Sequence, residues 1–168
     1  MIVAETERLR LRLLDETDAA FILELVNEPS WLRFIGDKGV RNLDDARRYL
    51  RDGPMAMYAK QGFGLYRVEA KESGQAIGMC GLIKRDSLDD VDIGFAFLPA
   101  HWGRGYAREA AAATLAHGQR DLGLRRIVAI TSLDNERSIA LLEGLGFAFE
   151  RTILSDRGDE VKLFALER

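Results

Sequence analysis

The sequence has one cysteine, three prolines and no long hydrophobic run among its 168 residues. The lone cysteine, Cys80, cannot form an intrachain disulfide, which is typical of a reducing compartment. No apolar stretch approaches the roughly 20 residues that a membrane-spanning helix needs. The first ten residues, MIVAETERLR, carry charges where a signal peptide would be apolar. We therefore expect a soluble, cytoplasmic protein with no membrane partner.

Excess charge of one sign is also missing, since the formal net charge is −3. Such a chain has no electrostatic basis for binding nucleic acid. Neither histidine, His101 or His117, belongs to a His/Cys cluster, so we expect no metal site. What the sequence does have is 47% hydrophobic residues, enough to bury a core in one domain spanning residues 1–168. The oligomeric state, monomer or homodimer, stays open.

The order of apolar and polar residues predicts a mixed α/β (α+β) fold. Leu9, Leu11 and Leu13 alternate with arginines, as in a half-buried strand, and Asp15 to Thr17 can cap a helix that runs until Pro29. A helix from Asn42 should end at Gly53-Pro54, with further helix up to Gly62. The later predicted elements are strands Phe63–Ala70, Gln75–Lys84 and Val91–Leu98, helix Tyr106–Leu122, strand Arg126–Thr131, helix Asn135–Leu145, and strands Phe147–Leu154 and Glu160–Ala165. They predict one mostly antiparallel sheet of about seven strands flanked by about four helices.

A glycine-rich turn, Pro99-Ala100-His101-Trp102-Gly103-Arg104-Gly105-Tyr106-Ala107-Arg108, joins a predicted strand to a predicted helix. The N–H groups of a helix's first turn lack intrahelical partners, and the helix dipole favours an anion there. Gly103 and Gly105 let the main chain approach a phosphate or pyrophosphate, and Arg104 and Arg108 can add charge-assisted contacts. A plain turn before a packing helix is the alternative. The turn is not a Walker loop, and it fits the dinucleotide fingerprint poorly.

Trp102 to Ala107 resembles the acyl-coenzyme A pyrophosphate loop of the GNAT superfamily, whose pattern is Gln/Arg-x-x-Gly-x-Gly/Ala. Gly105 and Ala107 match that pattern. Trp102 replaces the usual Gln or Arg, as in the branch of ribosomal-protein N-terminal alanine acetyltransferases. Further segments resemble that branch in the same order along the chain: Thr6–Arg12, Gly74–Gly78, Asp92–Phe95, Asn135–Ser138 and Leu145–Phe147.

The resemblance implies acetyl-coenzyme A (acetyl-CoA) as co-substrate. It implies that the main chain of Phe95, Ala96 and Phe97 binds the pantetheine arm in an opening between two splayed strands. Asn135 would lie beside the cofactor, although a helix cap is an equally good interpretation. The residues implied to hold the pyrophosphate are Gly103, Arg104, Gly105, Tyr106, Ala107 and Arg108.

The resemblance leaves the proton-transfer groups open. Many family members have a tyrosine general acid where this chain has Leu142, so Ser138 is the implied donor to the leaving thiolate, with water or pure positioning as alternatives. Asp92 matches an acidic position that could take a proton from the amine through water. An exposed carboxylate at the end of a strand is the other interpretation of Asp92.

The implied activity is transfer of an acetyl group from acetyl-CoA to a primary amine, either a peptide N-terminus or a small molecule. A site without a strong base favours a weakly basic amine such as an α-amine. The acceptor pocket would involve the first two helices and the last hairpin, where Trp31 and Phe34 line a pocket or fill the core. Two other functions stay open, a non-catalytic acetyl-CoA sensor and a nucleotide-binding domain.

Overall fold

A computed structural model describes all 168 residues, and its eight strands form one sheet. The strands are β1 Ile2–Glu5, β2 Leu9–Leu13, β3 Leu65–Ala70, β4 Ala76–Ile83, β5 Asp92–Phe97, β6 Arg126–Ser132, β7 Ala148–Leu154 and β8 Glu160–Glu167. Their order in the sheet is β1-β2-β3-β4-β5-β6-β8-β7. Every neighbouring pair is antiparallel except β5 and β6.

Helices cover both faces of the sheet and bury a core on each. The helices are α1 Ala19–Leu25, α2 Pro29–Phe34, α3 Leu43–Leu50, α4 Ala56–Gln61, α5 Tyr106–Arg120 and α6 Glu136–Gly144. On one face, α1, α2 and α3 pack on Met79 and Leu98. On the other face, α5 and α6 pack on a larger core that includes Leu9, Leu11 and Phe164. The mixed α/β class and the mostly antiparallel sheet are confirmed.

Local sequence signals explain several element ends. Asp15 caps the 3₁₀ turn Glu16–Asp18 by accepting from Thr17 N. Asn42 caps α3 in the same way through Asp45 N.

Cys80 is fully buried in β4 beside Thr114, as expected for a small apolar side chain.

The predicted break at Gly53-Pro54 is wrong. Residues Arg51–Met55 form a π-helical turn that joins α3 to α4. In this wider turn Ala56 N–H bonds to Arg51 O, five residues earlier, so the chain passes Pro54 without leaving the helical path.

The helix predicted to run until Pro29 instead ends at Leu25, and Pro29 begins α2, a first-turn position that proline favours.

The parallel pair β5 and β6 is joined at one point. Asp92 pairs with Val128, and Val128 N–H donates to Val91 O at 3.0 Å. No further residue of β5 is paired with β6. The two strands therefore diverge towards the carboxyl end of β5, as the sequence resemblance implies.

No helix of the structure has both the length and the apolar character needed to cross a bilayer.

Candidate active site

A cavity of about 910 Å³ lies at the opening between β5 and β6. Its walls come from both sides of the sheet, because Leu25 and Tyr49 line it from α1 and α3 while Leu142 lines it from α6. Ligand pockets commonly have volumes of about 300–1,000 Å³, so the cavity is large enough for a cofactor arm together with an acceptor.

The glycine loop, residues 103–108, lies at one end of this cavity. Gly103 has φ = 76° and Gly105 has φ = 80°, left-handed values that favour glycine. Gly105 also forms the N-cap of α5. The first N–H after Trp102 to find a protein acceptor is that of Glu109, which donates to Gly105 O at 3.1 Å. The N–H groups from Gly103 to Arg108 are therefore free for an anionic ligand.

The residues of the glycine loop differ in whether they line the cavity. Gly103, Gly105, Tyr106, Ala107 and Arg108 line the cavity, whereas Arg104 does not. Arg108 Nη2 is held by Gly144 O at 3.1 Å. The carbonyl of Arg104 accepts a hydrogen bond on the other side of the loop, from Arg8 Nη1 at 2.9 Å.

Three of the predicted binding residues lie along β5 at the cavity wall: Phe95, Ala96 and Phe97. Phe95 and Phe97 pack against the core of the α5 face, and Ala96 packs against the core of the opposite face. Their side chains therefore fill the core, and their main chain borders the opening. Trp102 closes one end of this border, since its Nε1 donates to Phe97 O at 2.8 Å.

The start of α6 forms the next part of the wall. Asn135 Oδ1 accepts from Ser138 N at 3.3 Å, so the helix-cap interpretation of Asn135 is confirmed. Asn135 also lines the cavity, as do Ser138 and Leu142. Leu142 is buried, with 1% of its surface exposed. The start of α6 thus lines the cavity with Asn135 and Ser138, and Leu142 lines it one turn later, at the position of the family's usual tyrosine.

Asp92 lies at the start of β5 and has no solvent-exposed surface. Both of its carboxylate oxygens accept from Arg85 Nε at 3.2 Å. Burial raises the pKa of Asp92 to about 6, although Arg85 acts in the opposite direction. Both residues line the cavity. The interpretation of Asp92 as an exposed carboxylate is wrong, because its side chain is buried and paired with Arg85.

The end of the cavity away from the glycine loop is formed by α2, α3 and the β7–β8 turn. Trp31 is 5% exposed and fills the core of the α1–α3 face, yet it also lines the cavity. Arg157 Nη2 donates to Ile35 O at 3.0 Å, and Arg33 pairs with Asp134 at 3.0 Å. The end of α2 is therefore tied to the β7–β8 turn and to the start of α6.

A sequence profile of the "Acetyltransferase (GNAT) domain" family matches residues 8–148. The chain belongs to the GNAT acetyltransferase family. The uncharacterised N-acetyltransferase YoaA of Bacillus subtilis is 30% identical over 150 residues, which cover 88% of this chain and 84% of that protein.

Two solved structures share the fold. An acetyltransferase from Agrobacterium tumefaciens has a TM-score of 0.83 and 24% identity, covering 98% of this chain and 94% of its own. The ribosomal L7/L12 α-N-protein acetyltransferase, solved in complex with coenzyme A, has a TM-score of 0.84 and 20% identity, covering 99% and 98%. The two structures confirm the expected architecture, and the matching family and the YoaA relative make the chain an acetyltransferase.

Sequence reasoning missed several polar side chains of this GNAT site, among them Arg85 and Tyr49. Arg85 lies two residues beyond Ile83, which pairs with Asp92, so the register of the hairpin makes Arg85 a diagonal neighbour of Asp92. Tyr49 lines the cavity from α3, and burial raises its pKa to about 12. His117 lies outside the cavity, between Tyr66 and Asp121, whereas His101 lines it.

Proposed function

We propose that this protein transfers an acetyl group from acetyl-CoA to a primary amine by direct attack of the amine on the thioester. The observation that carries the proposal is the row of free N–H groups from Gly103 to Arg108 at the mouth of the β5–β6 opening. A diphosphate matches such a row in charge and in hydrogen bonding. Acetyl-CoA, the acetyl donor of GNAT acetyltransferases, contains such a diphosphate.

The residues of the glycine loop fit the diphosphate for steric reasons as well. A Cβ built on Gly103 would meet no atom within 4 Å, so the space above this residue is open. Arg108 adds positive charge at the cavity wall, and Ala107 keeps the first turn of α5 free of bulk. Gly103, Arg104, Gly105, Tyr106, Ala107 and Arg108 would bind the diphosphate mainly through their peptide nitrogens.

The pantetheine arm would lie in the β5–β6 opening against the main chain of Phe95, Ala96 and Phe97. Acetyl-CoA supplies an activated acyl group as a thioester. Free N–H groups on this border of β5 can stabilise the negative charge that builds on the carbonyl oxygen during attack. Holding the amine and the thioester together in one cavity supplies a further part of the rate enhancement. Asn135 would contact the cofactor through its side-chain amide.

Asp92 is proposed to accept the proton that the attacking amine loses, through a water molecule. With a pKa of about 6, its carboxylate is mostly ionised near neutral pH. An α-amine has a pKa near 8, so an appreciable fraction of it is already neutral there, whereas a lysine amine near 10.4 requires more help. A carboxylate of this basicity therefore suits an α-amine.

Ser138 is proposed to protonate the leaving thiolate. Its side chain lies on the first turn of α6, at the cavity wall, four residues before the apolar Leu142. Leu142 has no proton to give. Ser138 supplies the hydroxyl on this helix wall, and the positive end of the α6 dipole favours the thiolate.

The acceptor is proposed to bind at the far end of the cavity, between α2, α3 and the β7–β8 turn. A peptide N-terminus or a small-molecule amine fits this opening, and the ribosomal α-N-protein acetyltransferase of the same fold supports the first choice. We propose that residues 1–168 act as one domain in the cytoplasm, as a monomer or a homodimer.

Release of free thiol from acetyl-CoA tests the activity. The amine panel would contain peptides with free N-termini, polyamines and aminoglycosides, and D92N would serve as the matched control. We expect thiol release with at least one amine and a large loss in the variant. Tight coenzyme A binding without turnover on any amine would indicate the sensor, and binding of ATP or NAD but not of coenzyme A would overturn the proposal.

A further inference from the structure

The turn between β1 and β2 is fastened to the first turn of α5. The Glu109 carboxylate accepts from the Thr6 hydroxyl, from Arg8 N at 3.0 Å and from Arg8 Nε at 2.7 Å. Thr6 and Arg8 come from the segment that resembles the family's opening strand, and neither lines the cavity. Two residues about 100 positions before the glycine loop are therefore joined to the helix that the loop begins.

The guanidinium of Arg8 reaches further, onto the glycine loop itself. Its Nη1 donates to Arg104 O at 2.9 Å. Its Nη2 lies 3.4 Å from the place where a Cβ on Gly105 would be. Its central carbon lies 4.4 Å from the centre of the Tyr106 ring. One side chain outside the cavity thus contacts three consecutive residues of the loop.

We propose that Arg8 is a positioning residue that fixes the direction of the peptide nitrogens in the glycine loop; this rests on the diphosphate-binding role proposed above. The Arg104 carbonyl and the Gly105 N–H belong to one planar trans peptide, so they point in opposite directions. Because Arg8 holds the carbonyl on the outside of the loop, the Gly105 N–H is directed towards the cavity.

Arg8 also balances a charge that would oppose a diphosphate. Glu109 lies in the first turn of α5, close to the proposed position of the diphosphate. Burial alone would raise the pKa of Glu109, but hydrogen bonds from Thr6 and Arg8 outweigh it and lower the pKa. Glu109 therefore remains ionised, and without Arg8 its charge would repel a second anion at the same helix end.

A merely structural fastening of β2 to α5 makes a different prediction from a positioning role. Loss of a fastening lowers stability and affects every ligand of the folded protein alike. Loss of positioning weakens only ligands that contain a diphosphate. Coenzyme A and dephospho-coenzyme A both contain this group, and pantetheine lacks it. Calorimetric titration with these three probes separates the two roles without any amine substrate.

The variants are R8A, R8K and the double variant R8A/E109Q, with R47A as the matched control. Arg47 forms an exposed pair with Asp44 on α3 and lines no part of the cavity. We expect R8A to weaken coenzyme A and dephospho-coenzyme A about tenfold or more, as for loss of a charged hydrogen bond, with pantetheine unchanged. R8K should recover part of the loss, because lysine keeps the charge but offers no planar fork. R47A should bind all three as the wild type does.

The double variant keeps the test decisive if R8A folds poorly, since it leaves no unpaired carboxylate on α5. It should still bind coenzyme A less tightly than the wild type, because Arg104 O has lost its donor. Equal weakening of all three probes, or unchanged coenzyme A affinity in folded R8A, would overturn the positioning role alone. A wild type that binds coenzyme A no more tightly than pantetheine would overturn the proposed function as well.

Discussion

Arg85 and Asp92 face each other across the β4–β5 hairpin, with Arg85 Nε 3.2 Å from each carboxylate oxygen. The pair lies in the cavity wall, where burial and the guanidinium act on the carboxylate in opposite directions. Arg85 lowers the pKa of Asp92 and thereby keeps a buried carboxylate ionised near neutral pH. Its Nη atoms make no hydrogen bond to the protein, so Arg85 holds Asp92 through Nε alone.

The substitution R85Q should shift the pH profile of acetyl transfer. In the wild type, kcat/KM for the amine should rise through an apparent pKa of about 6 as Asp92 ionises. Without Arg85 the charged form of Asp92 is less stable, so its pKa rises and the midpoint moves to higher pH. Initial rates at subsaturating amine and saturating acetyl-CoA across pH 5–9 measure this shift.

D92N should abolish the increase in kcat/KM that has an apparent pKa of about 6. The increase at higher pH, which comes from deprotonation of the amine substrate, should remain. R48Q serves as the matched control, because Arg48 pairs with Asp45 on the exposed face of α3. If kcat/KM of D92N still rises through an apparent pKa of about 6, a group other than Asp92 is responsible for that pH dependence.

The substitution G103A should weaken coenzyme A binding. Gly103 and Gly74 both have positive φ, 76° and 72°, and a Cβ on either would meet no protein atom. Alanine at either site should cost about 1 kcal/mol of stability, because both require left-handed backbone. Only the methyl group that G103A introduces would enter the space above the free N–H groups.

G74A therefore controls for the backbone effect. Thermal melts should place the two variants close together, whereas titration with coenzyme A should separate them. Equal coenzyme A affinity in both variants would contradict a diphosphate position beside Gly103.

The substitution S138A should lower kcat and leave the KM for acetyl-CoA nearly unchanged. General acid catalysis contributes about 100-fold or more where a side chain protonates the leaving group. Stopped-flow or steady-state thiol release measures the change. S73A, in the β3–β4 turn outside the cavity, should behave as the wild type. A kcat within twofold of the wild type would assign protonation of the thiolate to water.

The substitution R67M should destabilise the fold without changing the site. Arg67 bonds to the buried carboxylates of Asp18 at 2.7 Å and Glu69 at 2.8 Å. Arg12 still reaches both carboxylates, so we expect a loss of about 2 kcal/mol in the free energy of unfolding. Chemical denaturation at pH 7 measures it, and D44N on the surface should change stability by less than about 0.5 kcal/mol.

The same cluster predicts a pH dependence of stability. Burial alone would raise the pKa of Glu69, but Arg10, Arg67 and Arg12 together lower it below the ordinary value of 4.5. A lowered pKa stabilises the folded state above the unfolded value, and this contribution is lost as the pH falls through the folded pKa. The stability difference between the wild type and E69Q should therefore be present at pH 7 and shrink below pH 4.5.

Elements with strong local signals were predictable from sequence. The Leu9, Leu11 and Leu13 alternation, the Asp15 cap and the glycine loop all depend on neighbours within a few residues. Strand β1, Ile2–Glu5, was not predicted, because four residues carry too short a pattern. The break at Gly53-Pro54 was predicted wrongly, because proline is a strong local signal and the π-helical turn that absorbs it is rare.

The candidate site was predictable where it is built from one segment. Residues 103–108 were predicted as an anion-binding turn from their glycines and the helix that follows, and the resemblance to the GNAT family placed them and β5 beside the cofactor. Arg85 and Arg8 act through residues that are distant in sequence or joined by pairing, and their partners depend on strand register. The buried state of Asp92 has the same origin, since it follows from the hairpin around it and not from its acidic neighbours.

The single point of pairing between β5 and β6 has a consequence for how the two reactants meet. A gap in the middle of a sheet is a passage between its two faces, and here the α5–α6 layer adjoins one mouth while the α1–α3 layer adjoins the other. In the proposed function, acetyl-CoA would enter from one face of the sheet and the amine from the other, and the two would react within this gap. Kinetics should therefore follow a ternary complex, with no need for one reactant to depart before the other enters.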